Sequence, residues 1–245
     1  LEIVTEALNC ASGTEVYNST GTSHIDTGLT NGTTYYYMAC DYDALKTSPG
    51  VIASTTPNPD ANIPWSWGFN STGQLGDGTV TDRPSPVQVA NLTSMADVDG
   101  GWAHTVALLS DGTVWTWGSN LYGQIGDATT ADRALPVQVI PDVSTDVDSG
   151  AFHTIALNSP GRVWTWGFNL NGQLGNGTTT DSSVPVQVSS LSSVIAVASG
   201  YFHSMALKSD GTVWTWGMNL YGQLGIGVTG SYRTAPVQTS GITNV

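Results

Sequence analysis

"VWTWGFNLNGQLGNGT", residues 163–178, sets two tryptophans around a threonine and follows them with a run of glycines. A ligand site usually occurs once in a chain, whereas a structural unit returns at a fixed interval. This stretch returns. Trp-Ser/Thr-Trp-Gly stands at residues 65–68, 115–118, 164–167 and 214–217, and the second tryptophans are 50, 49 and 50 residues apart. Asn70, Asn120, Asn169 and Asn219 keep the same step, as do Gly-Gln at 73, 123, 172 and 222 and Pro-Val-Gln at 86, 136, 185 and 236. Eight of the nine tryptophans belong to these pairs, so Trp65, Trp67, Trp115, Trp117, Trp164, Trp166, Trp214 and Trp216 read as packing that recurs with the unit rather than as a binding site.

Each unit reads as strands and turns. In residues 185–217, "PVQV", "SVIAVASG", "FHSMALKS" and "TVWTWG" are short β-branched or aromatic runs separated by turn residues, with Ser209-Asp210-Gly211 as a hairpin signal. Four antiparallel strands in about 50 residues is one propeller blade. Within "HTVALL", His104, Val106 and Leu108 point one way while the small Thr105 and Ala107 point the other, which lets a neighbouring blade approach. The glycines after each Trp pair permit tight turns, and the conserved-in-phase Asn169 and Gln173 can hydrogen-bond exposed backbone. The loop lacks the Lys-Ser/Thr and following helix of a phosphate-binding loop.

The string Trp-x-Trp-Gly-x-Asn-x-x-Gly-Gln-Leu/Ile-Gly, with Pro-Val-Gln and Gly-x-x-His-x-x-x-Leu after it, resembles the repeat of the regulator of chromosome condensation family over residues 62–241. The resemblance implies an all-β propeller, usually of about seven blades, whose blades can draw strands from consecutive repeats. This chain holds three full repeats and the start of a fourth, at 65–114, 115–163, 164–213 and 214–245, about three and a half blades of four antiparallel strands. Residues 1–56 resemble the closing strands of a fibronectin type III β-sandwich, through Leu29, Gly32, Thr33 and Tyr35, and 57–64 is a Pro-rich linker. Both modules look truncated, so the chain is expected to be a piece of a longer protein. Two other remedies for an open blade face are self-association into a ring or into a filament.

Charge excludes one class of partner. Six Lys plus Arg against 19 Asp plus Glu gives a net charge of −13, which repels phosphate backbones, so no nucleic acid is expected. Cys10 and Cys40 are the two cysteines, and a lone pair in one small segment fits a disulfide in an oxidising compartment. No apolar run approaches a membrane span, so no membrane insertion is expected. Sequons stand at Asn18, Asn31, Asn70, Asn91 and Asn176. Asp82-Arg83 and Asp132-Arg133 read as a repeated loop ion pair, replaced by Asp181-Ser182 in the third copy.

His104, His153 and His203 hold equivalent places and could form an arc of metal ligands, but the repeats lack cysteine, and a histidine beside a turn glycine reads better as hydrogen-bonding backbone within its own blade. No catalytic constellation or cofactor fingerprint stands out, so neither an enzyme, a metal nor a cofactor is expected. The family resemblance offers three precedents. Nucleotide exchange on chromatin needs basic surface, and ultraviolet-B sensing needs arginine beside tryptophan, where "GWAHT" has Ala103. The third, protein binding by a secreted bacterial propeller, agrees with the acidic charge. The expected function is therefore a non-enzymatic, secreted or cell-surface recognition module for a protein or glycan, with a structural filament or envelope subunit as the alternative. Trp102, Tyr122, Phe152, Tyr201, Phe202 and Tyr221 are the candidate partner-binding loop tips.

Overall fold

The computed structural model describes residues 63–140, 143–188 and 190–242, with the backbone alone of 42–43, 46–47 and 50–52. Strands β1 (Tyr42–Asp43) and β2 (Lys46–Thr47) form a small hairpin. β3 (Gly50–Ile52), β4 (Trp65–Gly68) and β5 (Arg83–Gln88) make a three-stranded antiparallel sheet. A four-stranded sheet follows, of β6 (Met95–Gly100), β7 (His104–Leu109), β8 (Val114–Gly118) and β9 (Arg133–Ile140). The next comprises β10 (Ser144–Ser149), β11 (His153–Asn158), β12 (Arg162–Gly167) and β13 (Ser182–Gln187). The last comprises β14 (Val194–Ser199), β15 (His203–Lys208), β16 (Val213–Gly217) and β17 (Arg233–Gln238). All pair in chain order, each sheet an up-and-down blade.

The blade boundary differs from the unit taken in the sequence. Pro-Val-Gln closes the blade of the tryptophans before it, with Val186 opposite Thr165, instead of opening the next blade. The reason lies in the loop after β12. Asn169 is fully buried, donates its side-chain amide to the carbonyls of Thr178 (3.1 Å) and Thr180 (2.9 Å), and accepts from Leu174 N (2.9 Å). That clamp folds the Gly-rich segment back on itself, so the chain returns antiparallel beside the strand it left. Asn70 and Asn120 repeat the clamp, so the Asn70 sequon is a buried structural element. Gly50–Ile52, read above within the N-terminal module, pairs with β4 in the first blade. The remainder of that module, with Cys10 and Cys40, lies outside the described residues.

Apolar cores sit between blades rather than inside one. Val106 and Leu108 of the second blade join Val147, Ala156 and Trp166 of the third, and Ile155 and Leu157 of the third join Val197, Ala206 and Trp216 of the fourth. Ala107 faces the other way, with Val89 and Leu92. In every pair the second tryptophan is buried, and the first is half-buried beside it. Three of the buried indoles also bind the preceding blade: Trp117 Nε1 donates to Gln74 O (2.9 Å), Trp166 to Gln124 O (2.9 Å) and Trp216 to Gln173 O (2.8 Å). The same carbonyls accept from the hydroxyls of Thr105, Thr154 and Ser204.

The histidines cross blades too. His104 Nε2 meets Thr154 Oγ1 at 3.1 Å and His153 Nε2 meets Ser204 Oγ at 2.9 Å, so the bond goes to a hydroxyl of the next blade instead of to backbone in their own. The Thr154 and Ser204 protons are committed to the glutamine carbonyls, which makes each histidine the donor through Nε2–H. Burial keeps both rings neutral at pH 7. Burial holds His104 down at about 4, against a slight pull upward from Asp99, and holds His153 at about 3, with His104 and His203 adding to the depression.

The loop ion pair is also rearranged. Arg83 pairs with Asp77 (Nε to Oδ2, 2.6 Å) and Arg133 with Asp127 (2.6 Å), while the adjacent Asp82 and Asp132 accept from the backbone N–H of Asn70 (2.7 Å) and Asn120 (2.8 Å). Asp77 and Arg83 are brought together by the folded-back loop. In the third repeat both partners change together, to Asn176 and Ser182.

Candidate interaction surface

Gly118 pairs with His104, Gly167 with His153 and Gly217 with His203, so the loop entering the His strand and the Gly-Gln loop leaving the Trp strand emerge at the same end of each four-stranded blade. Backbone bonds join the first set of loops sideways: Trp102 N donates to Ala151 O (3.0 Å), and Ala151 N to Tyr201 O (3.1 Å). This brings side chains about 50 residues apart in sequence into one patch.

Phe152 is the hub. Its ring lies 6.1 Å from Trp102, 5.5 Å from Tyr122, 6.2 Å from Tyr201 and 6.2 Å from Phe202. Tyr201 and Phe202 meet edge to face at 4.6 Å, and Trp102 and Tyr201 at 5.8 Å, distances at which aromatic pairs attract one another. Five of the six residues singled out in the sequence therefore form one cluster. Tyr221 stands on the fourth blade, 80% exposed.

Sequence reading missed Phe168, which contacts Tyr122 (4.8 Å), Phe202 (5.9 Å) and Phe152 (6.3 Å). It also missed Leu121, Leu170 and Leu220, exposed at the tips of the Gly-Gln loops. The available signal was variation in phase: the residue after Trp-x-Trp-Gly is Phe69, Ser119, Phe168 or Met218. Trp102 is 39% and Tyr201 50% exposed, so large apolar surface faces outward although the cluster is internally packed.

Carboxylates line the inner strands beneath it. Asp99 of β6 accepts from Ser149 N of β10 (2.9 Å) and from the Ser149 hydroxyl, and Asp148 of β10 accepts from Ser199 N of β14 (3.2 Å). Asp146 likewise accepts from Val197 N (2.9 Å). These carboxylates satisfy the N–H groups of inner edge strands, which have no strand partner on that side. Ser149 N also lies 2.6 Å from Asp148 Oδ1, so the Asp99 and Asp148 carboxyls converge on one N–H. Burial first, and the neighbouring Asp99 second, push Asp148 up to about 8.

Opposite signs follow for stability against pH. The unfolded chain binds more protons at His104 and His153 between their folded values and 6.5, so stability falls on acidification below 6.5. The folded chain holds the extra proton on Asp148 from about 3.8 up to about 8, so that group lowers stability as pH rises through this window. Three histidines, His203 being shifted the same way, outweigh the raised carboxyls of Asp148 and Asp97 below 6.5, and above it only the carboxyls act. Urea unfolding should show maximum stability near pH 6.5, declining toward pH 8 by at most about 1.4 kcal/mol per pH unit. Asp148→Asn should flatten the alkaline decline and leave the acid limb in place.

A stack of four-stranded antiparallel blades locked by tryptophan pairs defines a repeat-built β-propeller. The profile of the regulator of chromosome condensation (RCC1) repeat matches residues 65–108, 111–157, 160–207 and 210–245, and the chain belongs to that family. A second RCC1 repeat profile matches 95–124, 145–173 and 194–223. No curated protein matches the chain. Among solved structures it is similar to human WBSCR16 (TM-score 0.67, 21% identity, covering 78% of this chain and 49% of that one). It is similar also to Prp20p of Saccharomyces cerevisiae, described with its binding properties to Gsp1p and histones (TM-score 0.67, 20% identity, 77% and 48%). Yeast RCC1 (Prp20) solved with Kap60 gives TM-score 0.68 at 19% identity, covering 84% and 56%. The chain spans about half the length of these structures.

Proposed function

We propose that the protein is a non-enzymatic recognition module that binds a protein partner through the aromatic loop end of its blades. The observation that carries this reading is the six-ring cluster of Trp102, Tyr122, Phe152, Phe168, Tyr201 and Phe202, contributed by three blades and left partly open to solvent. Interfaces concentrate their energy in such aromatic anchors. A rigid platform also loses little side-chain freedom when a partner docks. Solved propellers of this fold are described with protein partners, which favours a protein over a glycan. A secreted or cell-surface setting is the reading that the acidic charge and the fibronectin-like segment support.

Trp102→Ala with Tyr201→Ala tests the proposal. Neither residue belongs to an inter-blade core, so the thermal midpoint should stay within a few degrees, while capture of the partner drops at least about 30-fold, two hot-spot losses of roughly 1 kcal/mol or more each. Unchanged capture would remove the loop end from consideration. Regular polymers in electron micrographs, with these rings buried between copies, would replace this reading with the structural one.

A further inference from the structure

We infer that the partner segment received by the aromatic loop end carries a lysine or arginine beside a large apolar side chain, its cation seated against the Asp99 and Asp148 carboxyls. This rests on the recognition reading above and specifies its partner. Three lateral rungs place the two features together. Asp99 and Asp148 meet at Ser149 N; one step outward Trp102 N, Ala151 and Tyr201 O are joined; beyond these lie the rings of Trp102, Phe152 and Tyr201. Asp99 precedes Trp102 by three residues, and since the chain bends after Gly100, with Gly101 N donating to His104 O (2.9 Å), the two lie at most about 10 Å apart along the backbone, within the reach of one long basic side chain whose stem lies on the rings.

The charge around the patch is one-sided. Asp97, Asp99, Asp146 and Asp148 lie on β6 and β10, whereas β14 has Ala196, Ala198 and Ser199. The other titratable groups packed nearby are His104, His153 and His203, on β7, β11 and β15, all held below the usual histidine value by burial. Among the described side chains the chain's own cations sit elsewhere. Arg83, Arg133 and Arg233 begin outer strands, the first two committed to Asp77 and Asp127, and Arg162 and Lys208 lie at the far ends of their strands from the histidines. An arriving cation therefore meets carboxylates and ring faces, with no resident competitor among those residues.

Seating a cation favours the ionised form of Asp148, so binding releases the proton that it holds. The test is selection of phage-displayed random nonapeptides on the chain at neutral pH, followed by fluorescence anisotropy of an enriched peptide. Enriched sequences should carry Lys or Arg next to Leu, Phe, Tyr or Trp. Affinity should rise by up to about tenfold per pH unit below pH 8 and level off above. Asp99→Asn with Asp148→Asn, which keeps an acceptor oxygen at each site, should enrich apolar peptides with no cation, its fold checked by thermal unfolding. Peptides without a cation, or a preference for cations that survives the double replacement, would overturn this inference and leave the recognition reading standing. Failure to enrich any peptide that Trp102→Ala with Tyr201→Ala releases would overturn both.

Discussion

Replacing Trp166 with alanine is expected to destabilise the fold by roughly 3–5 kcal/mol, the range for a fully buried aromatic lost from a core. Its indole is completely buried among Val106, Leu108, Val114, Val147 and Ala156, side chains of two adjacent blades, and its Nε1 donates to Gln124 O at 2.9 Å. The cavity would open along the joint between the second and third blades. Because the indole is the largest buried side chain of that joint, whose remaining ties are the His104 and Thr154 bonds, the Asp99 rung and backbone bonds such as Trp102 N to Ala151 O and Ser144 N to Gly112 O, hydrogen exchange at β7 and β11 should accelerate together. Trp166→Phe separates packing from bonding. It keeps most of the ring, and Gln124 O keeps the Thr154 hydroxyl, so the loss should be nearer 1–2 kcal/mol in urea titration. Equal losses in the two variants would mean that the hydrogen bond, and not the packing, carries the joint.

The same tryptophan marks what was legible in the sequence. Fixed spacing identified the repeat, and strict alternation in "HTVALL" sorted its faces: His104, Val106 and Leu108 meet the following blade, Thr105 and Ala107 the preceding one. Periodicity exposes such features because a strand has only two faces. Connectivity across loops is not periodic in that way. Pro-Val-Gln could be hydrogen-bonded to the strand before it or the strand after it, and only the buried Asn169 clamp decides. Arg83 has Asp82 beside it in sequence, yet the folded loop delivers Asp77. For the same reason five of the six rings were visible as scattered tips, but their convergence on Phe152 depends on the sideways rungs between loops. Phe168 was overlooked because it follows a constant motif at a position that is Ser119 in the second repeat and Met218 in the fourth.

Gly167→Ala is expected to be as damaging as loss of the tryptophan beside it, for a reason that involves no lost contact. Gly167 has φ of +100°, and a Cβ built there would stand 2.5 Å from Phe152 O, 2.9 Å from His153 Cα and 3.1 Å from Gln124 Cα. Each obstacle is backbone, so no side chain can swing aside. The first of these atoms belongs to the aromatic hub, the second to the residue that opens β11 beside it, and the third to the carbonyl-bearing residue that receives Trp166. A left-handed backbone for alanine costs about 1 kcal/mol, and forcing apart packed backbone adds typically 1–3 kcal/mol, giving roughly 2–4 kcal/mol in all, a range that overlaps the tryptophan's. Gly177→Ala supplies the comparison. Its φ is +84° but nothing lies within 4 Å of the added carbon, so about 1 kcal/mol should be lost there. Urea midpoints for the two variants would separate strain from collision. A Gly167→Ala protein as stable as Gly177→Ala would show that the loop bearing Phe152 yields, and a platform that yields so easily could not present its rings as a fixed binding surface.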